Sequence, residues 1–443
     1  MFVRSLPKYF LTLVVGAAGT VIGQETPPFA VHTSDGAEVL GARALWSTVV
    51  DLIKNEYFEI DDATGSRKQW TERAITVAVS KLLSEEAVKR EDKVSLGELP
   101  SDNEKEIRDQ FLVFIEKLQA RTRDSDVDSD VDSLPEWVEH GIQLFCAGHL
   151  KFSSYESKAI ASEISRNRLG QGSFHPDFSI LQSLEDGAFQ CHPYGEDVGC
   201  QSWKFGIRNG DELVSIDGAK IAGWSISKVG SRFYGEQGSK ISINLRQASG
   251  RILSVPTTRS VSFEPVVVKP GVHATEFKIH QFNENTSKEL QALLIKYPNS
   301  NIVIDLRGNG GGRIDDVLDP IGLFISGDRP LIVGKILIPG KPHKELKTDI
   351  ASLRGVERLT LIVNGGTASI SELFIQALLD AKEATPKIVV SGEKTFGKDL
   401  LVGVITLDGQ GGGALQIPVG EMRTAQDSTW GKGILPTLNV KHK

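Results

Sequence analysis

Apolar positions recur along the chain at two different periods, and the change of period divides it. Leu45, Val49, Leu52 and Ile53 share one face of a helix, as do Ile75, Val79, Leu82 and Leu83. Ser101 and Glu104 stand at capping-box spacing ahead of Ile107, Phe111, Phe114, Ile115 and Leu118, which predicts a third helix. A further helical pair is expected over 135–147 and 154–168, and residues 24–40, polar and proline-containing, read as an extended leader to this region. From about residue 171 the pattern shortens to alternation between glycine turns. Ile241, Ile243 and Leu245, then Ile252, Leu253 and Val255, predict strands, with one helix-like stretch over 225–234. Beyond residue 263 strands alternate with helices. Strands are expected at 277–282, 302–306, 359–363 and 388–390, and helices over 286–297 and from the 367–372 turn through Leu379. Repeated strand–turn–helix units predict an α/β core with ligand sites at the C-terminal ends of its strands.

The 443 residues, 40% hydrophobic and 24% charged, suit two or three globular domains. A formal net charge of −7 speaks against nucleic acid as a partner. Arg4 and Lys8 precede an apolar run over 10–23 that is short for a membrane span, so residues 1–23 read as a secretory signal. The mature chain is then expected in the periplasm or outside the cell, with no integral span. Cys146 lies in an apolar run and reads as core. Cys191 and Cys200 either close a small loop or are two packed thiols. Residues 123–133 are acidic. A calcium loop counted from Asp124 would need glycine and glutamate where Ser129 and Pro135 stand, so a solvated linker is expected. Neither a metal nor an organic cofactor is implied.

Candidate chemistry gathers at two places. Gly365-Gly366-Thr367-Ala368-Ser369-Ile370-Ser371-Glu372 sets a serine at a tight strand-to-helix turn. Gly392-Glu393-Lys394-Thr395-Phe396-Gly397-Lys398 sets a lysine after a later strand. A desolvated lysine loses its proton near neutral pH, so serine and lysine together can make an acyl-transfer nucleophile without histidine. Ser371 rivals Ser369, Lys394 rivals Lys398, and His280 is an alternative base. The backbone N–H of Ile370 follows the serine, and Gly310-Gly311-Gly312 can bring a second N–H close to a reacting carbonyl. No Gly-Lys-Ser/Thr ending follows that loop, which speaks against phosphate binding.

Two resemblances sharpen these expectations. Phe205-Gly206-Ile207-Arg208-Asn209-Gly210-Asp211-Glu212-Leu213-Val214-Ser215-Ile216-Asp217-Gly218 resembles the signature of a PDZ domain. That likeness implies capture of an extended peptide, often a C-terminus, by strand addition. Gly170 to Phe174 is a candidate carboxylate loop. Asp305-Leu306-Arg307-Gly308-Asn309-Gly310-Gly311-Gly312, the Ser369 motif and the Lys398 motif, in that order, resemble the C-terminal processing (tail-specific) serine peptidases. The Gln281–Thr286 and Gly431–Pro436 segments fit as well.

The resemblance implies a multidomain α/β protein: signal 1–23, helical region 24–170, PDZ-like domain 171–262 and a ClpP/crotonase-like α/β peptidase core 263–443. It implies Ser369 as nucleophile, Lys398 as general base, Gly310 and Ile370 as oxyanion donors, and polypeptides as substrates; an oligomer is compatible. Two departures stand out. Family members often carry a glutamine four residues after the lysine, where this chain has Val402. The serine-to-lysine spacing is also long, with the extra residues falling in the 382–387 loop. Val402 keeps an alternative alive: a catalytically silent member that binds peptide or lipophilic ligand in the same cleft.

Overall fold

The computed structural model describes residues 10–13, 20–21, 34–58, 69–89, 99, 103–123, 134–150, 153–156, 161, 178–183, 188–193, 201–259 (without 209, 223, 225, 234, 235 and 237), 265–353, 355–381, 386–407 and 413–439. The acidic stretch 124–133, the candidate carboxylate loop 170–174, Cys200 and residues 382–385 of the extra loop lie outside these.

Four helices, Ser34–Glu56, Glu72–Lys89, Glu104–Arg123 and Leu134–His149, form the N-terminal region. Their apolar stripes meet in one core, where Leu45, Val49, Ile75, Val79, Phe111, Ile115 and Ile142 are buried and Trp46 stacks on Phe111 at 4.0 Å. Arg108 ties three of the helices, donating to Glu72 at 2.6 and 2.9 Å and to Asp51 at 2.8 Å. Three expectations change here. The first helix begins at Ser34, inside the stretch read as extended. Ser101 lies outside the described residues, and the third helix is capped instead by Asn103, whose Oδ1 accepts from the Glu106 N–H. Ser154–Glu156 is a strand, paired antiparallel with 414–416, rather than the start of a helix. Burial of Tyr155, whose hydroxyl donates to Glu139 at 3.0 Å, outweighs the local helical pattern. Apart from residue 161, the rest of that expected helix is outside the described residues.

A second core belongs to an antiparallel sheet in which Phe178–Ser183, Phe189–Pro193, Asp211–Ile216, Lys240–Arg246 and Ile252–Thr258 pair in sequence order. The helix Ile226–Phe233 packs Val229 and Phe233 against Phe178, Ile180, Ile243 and Leu245. Cys191 is buried in this core and Cys146 in the helical one, both as free thiols.

The C-terminal region holds two further sheets. Thr275–Ile279, Asn301–Asp305, Arg358–Val363, Lys387–Gly392 and Leu438–Asn439 run parallel, in that order, with Val266–Lys269 antiparallel at one edge. Lys344–Thr348, Leu331–Leu337, Ala414–Thr424 and Leu400–Thr406 make an antiparallel sheet. The helix Ile370–Asp380 buries Leu373, Phe374, Ala377 and Leu378 in the same core as the parallel sheet. Phe58 donates its N–H to the Pro418 carbonyl at 2.7 Å, so the helical region is bonded to this sheet as well. Within the expected signal, Phe10–Leu13 and Thr20–Val21 add strands at the outer edges of two sheets, where their removal would leave every other strand pair in place.

Because the parallel strands are buried on both faces, large-to-small changes there leave cavities. Leu361→Ala, at a position 0% exposed, is expected to cost about 2–5 kcal/mol. Val272→Ala, at a position 93% exposed, is expected to cost less than about 0.5 kcal/mol. Chemical unfolding of the two variants side by side checks the contrast.

Candidate active site

The parallel strands Asn301–Asp305, Arg358–Val363 and Lys387–Gly392 end on the same side of their sheet, and each feeds one of the three motifs. Side chains at these ends hold the loops. Asn364 Oδ1 accepts from the Gly308 and Gly366 N–H groups, both at 3.0 Å. Thr367 Oγ1 donates to the Leu306 carbonyl at 2.8 Å. Asn309, fully buried, donates to the Ile279 carbonyl at 3.0 Å and accepts from Gly311 N–H at 2.9 Å, while its carbonyl accepts from Ala368 N–H. The glycine loop is thereby fastened to the serine turn.

Close approach explains its composition. A Cβ on Gly312 would lie 1.8 Å from the Phe282 carbonyl oxygen, so no larger residue fits. A Cβ on Gly311 would lie 3.0 Å from Ser369 Cβ and 3.3 Å from the Ile370 nitrogen. The loop therefore faces the serine directly, and the space beside Gly310 is open. Gly311 N–H is already taken by Asn309. The N–H groups of Gly310 and Ile370 enter no such bond among the described residues, and Ile370, as the first residue of its helix, has no intrahelical acceptor.

Ser369 is 2% exposed and adopts φ 61°, ψ −125°. For a residue with a side chain that conformation costs roughly 1–3 kcal/mol, and such strain concentrates at functional sites. Ser371 is the second residue of the helix, fully buried, with no partner for its Oγ among the described residues. The four expected site residues, Ser369, Lys398, Gly310 and Ile370, thus stand on segments that follow the C-terminal ends of neighbouring parallel strands. Of the rivals, Lys394 is exposed with its stem over Gly433. His280 follows the end of the first parallel strand, half-buried, with its backbone N–H donated to the Pro265 carbonyl.

Glu372 joins the two halves of the site. Its carboxylate is fully buried and accepts four hydrogen bonds. Oε2 takes Ser369 N–H at 2.9 Å and Lys398 N–H at 2.8 Å; Oε1 takes Thr395 Oγ1–H at 2.6 Å and Gly397 N–H at 2.7 Å. The backbone nitrogens of Ser369 and Lys398 are therefore held within two hydrogen-bond lengths of each other. Burial pushes the Glu372 carboxyl above its ordinary value, and the four donors pull against it. With four donors aimed at its oxygens, the ionised form is the one this geometry holds. Sequence reading gave Glu372 no role, although its spacing from Ser369 is that of a capping box.

Asp305 anchors the base of the glycine loop. It accepts from the Arg307 backbone at 2.9 Å and from the guanidinium at 2.8–3.2 Å, with Lys278 Nζ at 3.3 Å. Burial alone would raise its pKa, but Arg307 and Lys278 outweigh that and hold the carboxyl below its ordinary value.

Residues 275–440 match the model of peptidase family S41. The chain is 30% identical over 231 residues to a chloroplastic C-terminal processing peptidase of Tetradesmus obliquus, across 47% of this chain and 48% of that protein. It is 29% identical over 203 residues to a "Probable CtpA-like serine protease" of Staphylococcus haemolyticus, across 45% and 40% respectively. The chain thus matches less than half the length of these relatives. A solved photosystem II D1 C-terminal processing protease shares the fold at 21% identity and a TM-score of 0.51, covering 93% of this chain and 94% of that one.

Two predictions follow from the carboxylates. Glu372→Gln puts an amide donor where four donors already converge, so one is left unpaired at about 1–3 kcal/mol. Hydrogen exchange of the Gly397 and Lys398 amides should accelerate, while that of Ile304 stays protected. For Asp305, a depressed folded pKa means stability that is present above the ordinary value of about 3.9 and lost as pH falls through the folded value. Unfolding free energy measured between neutral and acid pH should show that loss in the parent and a smaller one in Asp305→Asn.

Proposed function

We propose that the chain is an exported serine endopeptidase that cleaves polypeptides near or from their C-terminal tails with a Ser369–Lys398 dyad. The observation that carries the reading is the Glu372 carboxylate, one oxygen of which accepts from both Ser369 and Lys398 backbones. In the proposed reaction neutral Lys398 takes the Ser369 hydroxyl proton as Oγ attacks the scissile carbonyl. The tetrahedral oxyanion rests on the Gly310 and Ile370 N–H groups, which have no other hydrogen bond among the described residues. Collapse expels the amine, which receives the proton from Lys398, and water then hydrolyses the acyl-enzyme.

The antiparallel sheet with the helix Ile226–Phe233 supports a PDZ-like module that recruits the substrate's C-terminus. Such capture raises the local concentration of the tail at the dyad. Export rests on the signal-like residues 1–23. No helix among the described residues is long and apolar enough to cross a membrane. A second reading, a catalytically silent protein that binds peptide or lipophilic ligand, is favoured by one observation: position 402 carries a buried valine where the peptidase resemblance implies a glutamine.

Cleavage of a permanently unfolded protein by the purified chain separates the readings. Ser369→Ala and Lys398→Ala are each expected to lose more than about a thousandfold in rate, with Ser371→Ala retaining activity. No cleavage of substrates with varied C-termini by folded parent protein would overturn the peptidase reading in favour of the binding one.

A further inference from the structure

Position 402 raises a question that the fold answers elsewhere. Val402 is 2% exposed, lies at a bulge in the strand Leu400–Thr406 opposite Pro418, and offers no hydrogen-bonding atom of its own side chain. A lysine side chain is long and rotamer-rich, so it serves as a base only if its point of departure is fixed. In this chain both backbone polar atoms of Lys398 are bonded to buried side chains from other motifs. Its N–H donates to Glu372 Oε2 at 2.8 Å, and its carbonyl accepts from the indole Nε1–H of Trp430 at 2.8 Å.

Trp430 is 3% exposed and belongs to the main core, so the indole is itself immobile. The segment that carries it is locked to the Lys398 loop at further points. Thr395 N–H donates to the Ile434 carbonyl at 3.1 Å, and Thr395 Oγ1 accepts from Ile434 N–H at 2.7 Å. Gly397, at φ 92°, has no room for a side chain, since a Cβ there would lie 2.7 Å from the Gly433 nitrogen. The Asp399 carboxylate lies against Gly431, and the Asp399 carbonyl accepts from Met422 N–H at 2.8 Å.

We infer that Trp430 is a positioning residue for the dyad: with Glu372 it clamps the Lys398 backbone at both ends and so sets the direction of the lysine without a side-chain partner at position 402. The inference rests on the proposed role of Lys398. It goes beyond that role by assigning the orienting function to an indole N–H that packing alone does not require. Loss of that one bond frees the carbonyl end and lets the amine leave the direction set by the clamp.

The test compares the full-length parent with Trp430→Phe and with benzothienylalanine at position 430, which keeps the indole's shape and replaces only its N–H. Two readouts are taken. The ε-carbon resonance of Lys398, identified by its disappearance in Lys398→Arg, is titrated by NMR, and cleavage of an unfolded protein is followed against pH. Both variants are expected to move the Lys398 midpoint away from that of the parent, because the surroundings of the amine change. They should lower kcat about tenfold with KM within about twofold, and the acid limb of kcat/KM should move in step. Adding Val402→Gln to Trp430→Phe should restore part of kcat.

An unchanged Lys398 titration and kcat in the folded benzothienylalanine protein would overturn the inference, even if Trp430→Phe failed to fold. A fall in kcat that only follows the loss of thermal stability, with the titration unmoved, would also overturn it. Should the parent itself cleave nothing, the dyad reading fails, and the Lys398 titration still decides whether Trp430 positions the lysine.

Discussion

One buried carboxylate holds the candidate site together. Glu372 belongs to the first turn of the helix that follows Ser369, yet three of its four hydrogen bonds come from the 395–398 loop further along the chain. A carboxylate removed from water is costly unless its lone pairs are filled, and here four donors fill them. The helix start, the strained serine turn and the 395–398 loop therefore form as a unit or not at all. Strain at Ser369 is sustainable for the same reason, since the N–H of the strained residue is one of the four donors.

The parallel sheet supplies the platform. Three of its strands end together, and the residues just past those ends are tied across strands rather than along them: Asn364 to the glycine loop, Thr367 to Leu306, Asn309 to Ala368. Each bond joins one motif to another. The result is a rigid rim around an open space at Gly310, in which two backbone N–H groups are available to developing negative charge. In the proposed reaction that preorganisation would separate this site from a surface serine near a lysine.

Much of this was legible in the chain. The strand-end motifs, the serine turn and the glycine loop could be placed because strand periodicity and glycine spacing are local signals, and the strands fall within a few residues of where the pattern puts them. The partners of those motifs were not legible. Glu372 shows its capping spacing to Ser369 but gives no hint of Thr395 or Gly397, and nothing local to Trp430 points to the carbonyl of Lys398. Ser154–Glu156 failed for a related reason: its pairing partner lies at 414–416, and burial of Tyr155 overrides a helical pattern that is only local. The cap at Asn103 was missed because Ser101 and Glu104 offered the more familiar spacing two residues earlier.

The most direct test of the account is covalent: treatment of the folded chain with a serine-directed acylating probe, followed by mass spectrometry of its peptides. The account predicts a single acyl group on Ser369, formed at a rate that falls steeply in Lys398→Ala while Ser371 stays unmodified. Acylation of Ser371 instead, or an unmodified Ser369 in protein shown to be folded, would contradict it.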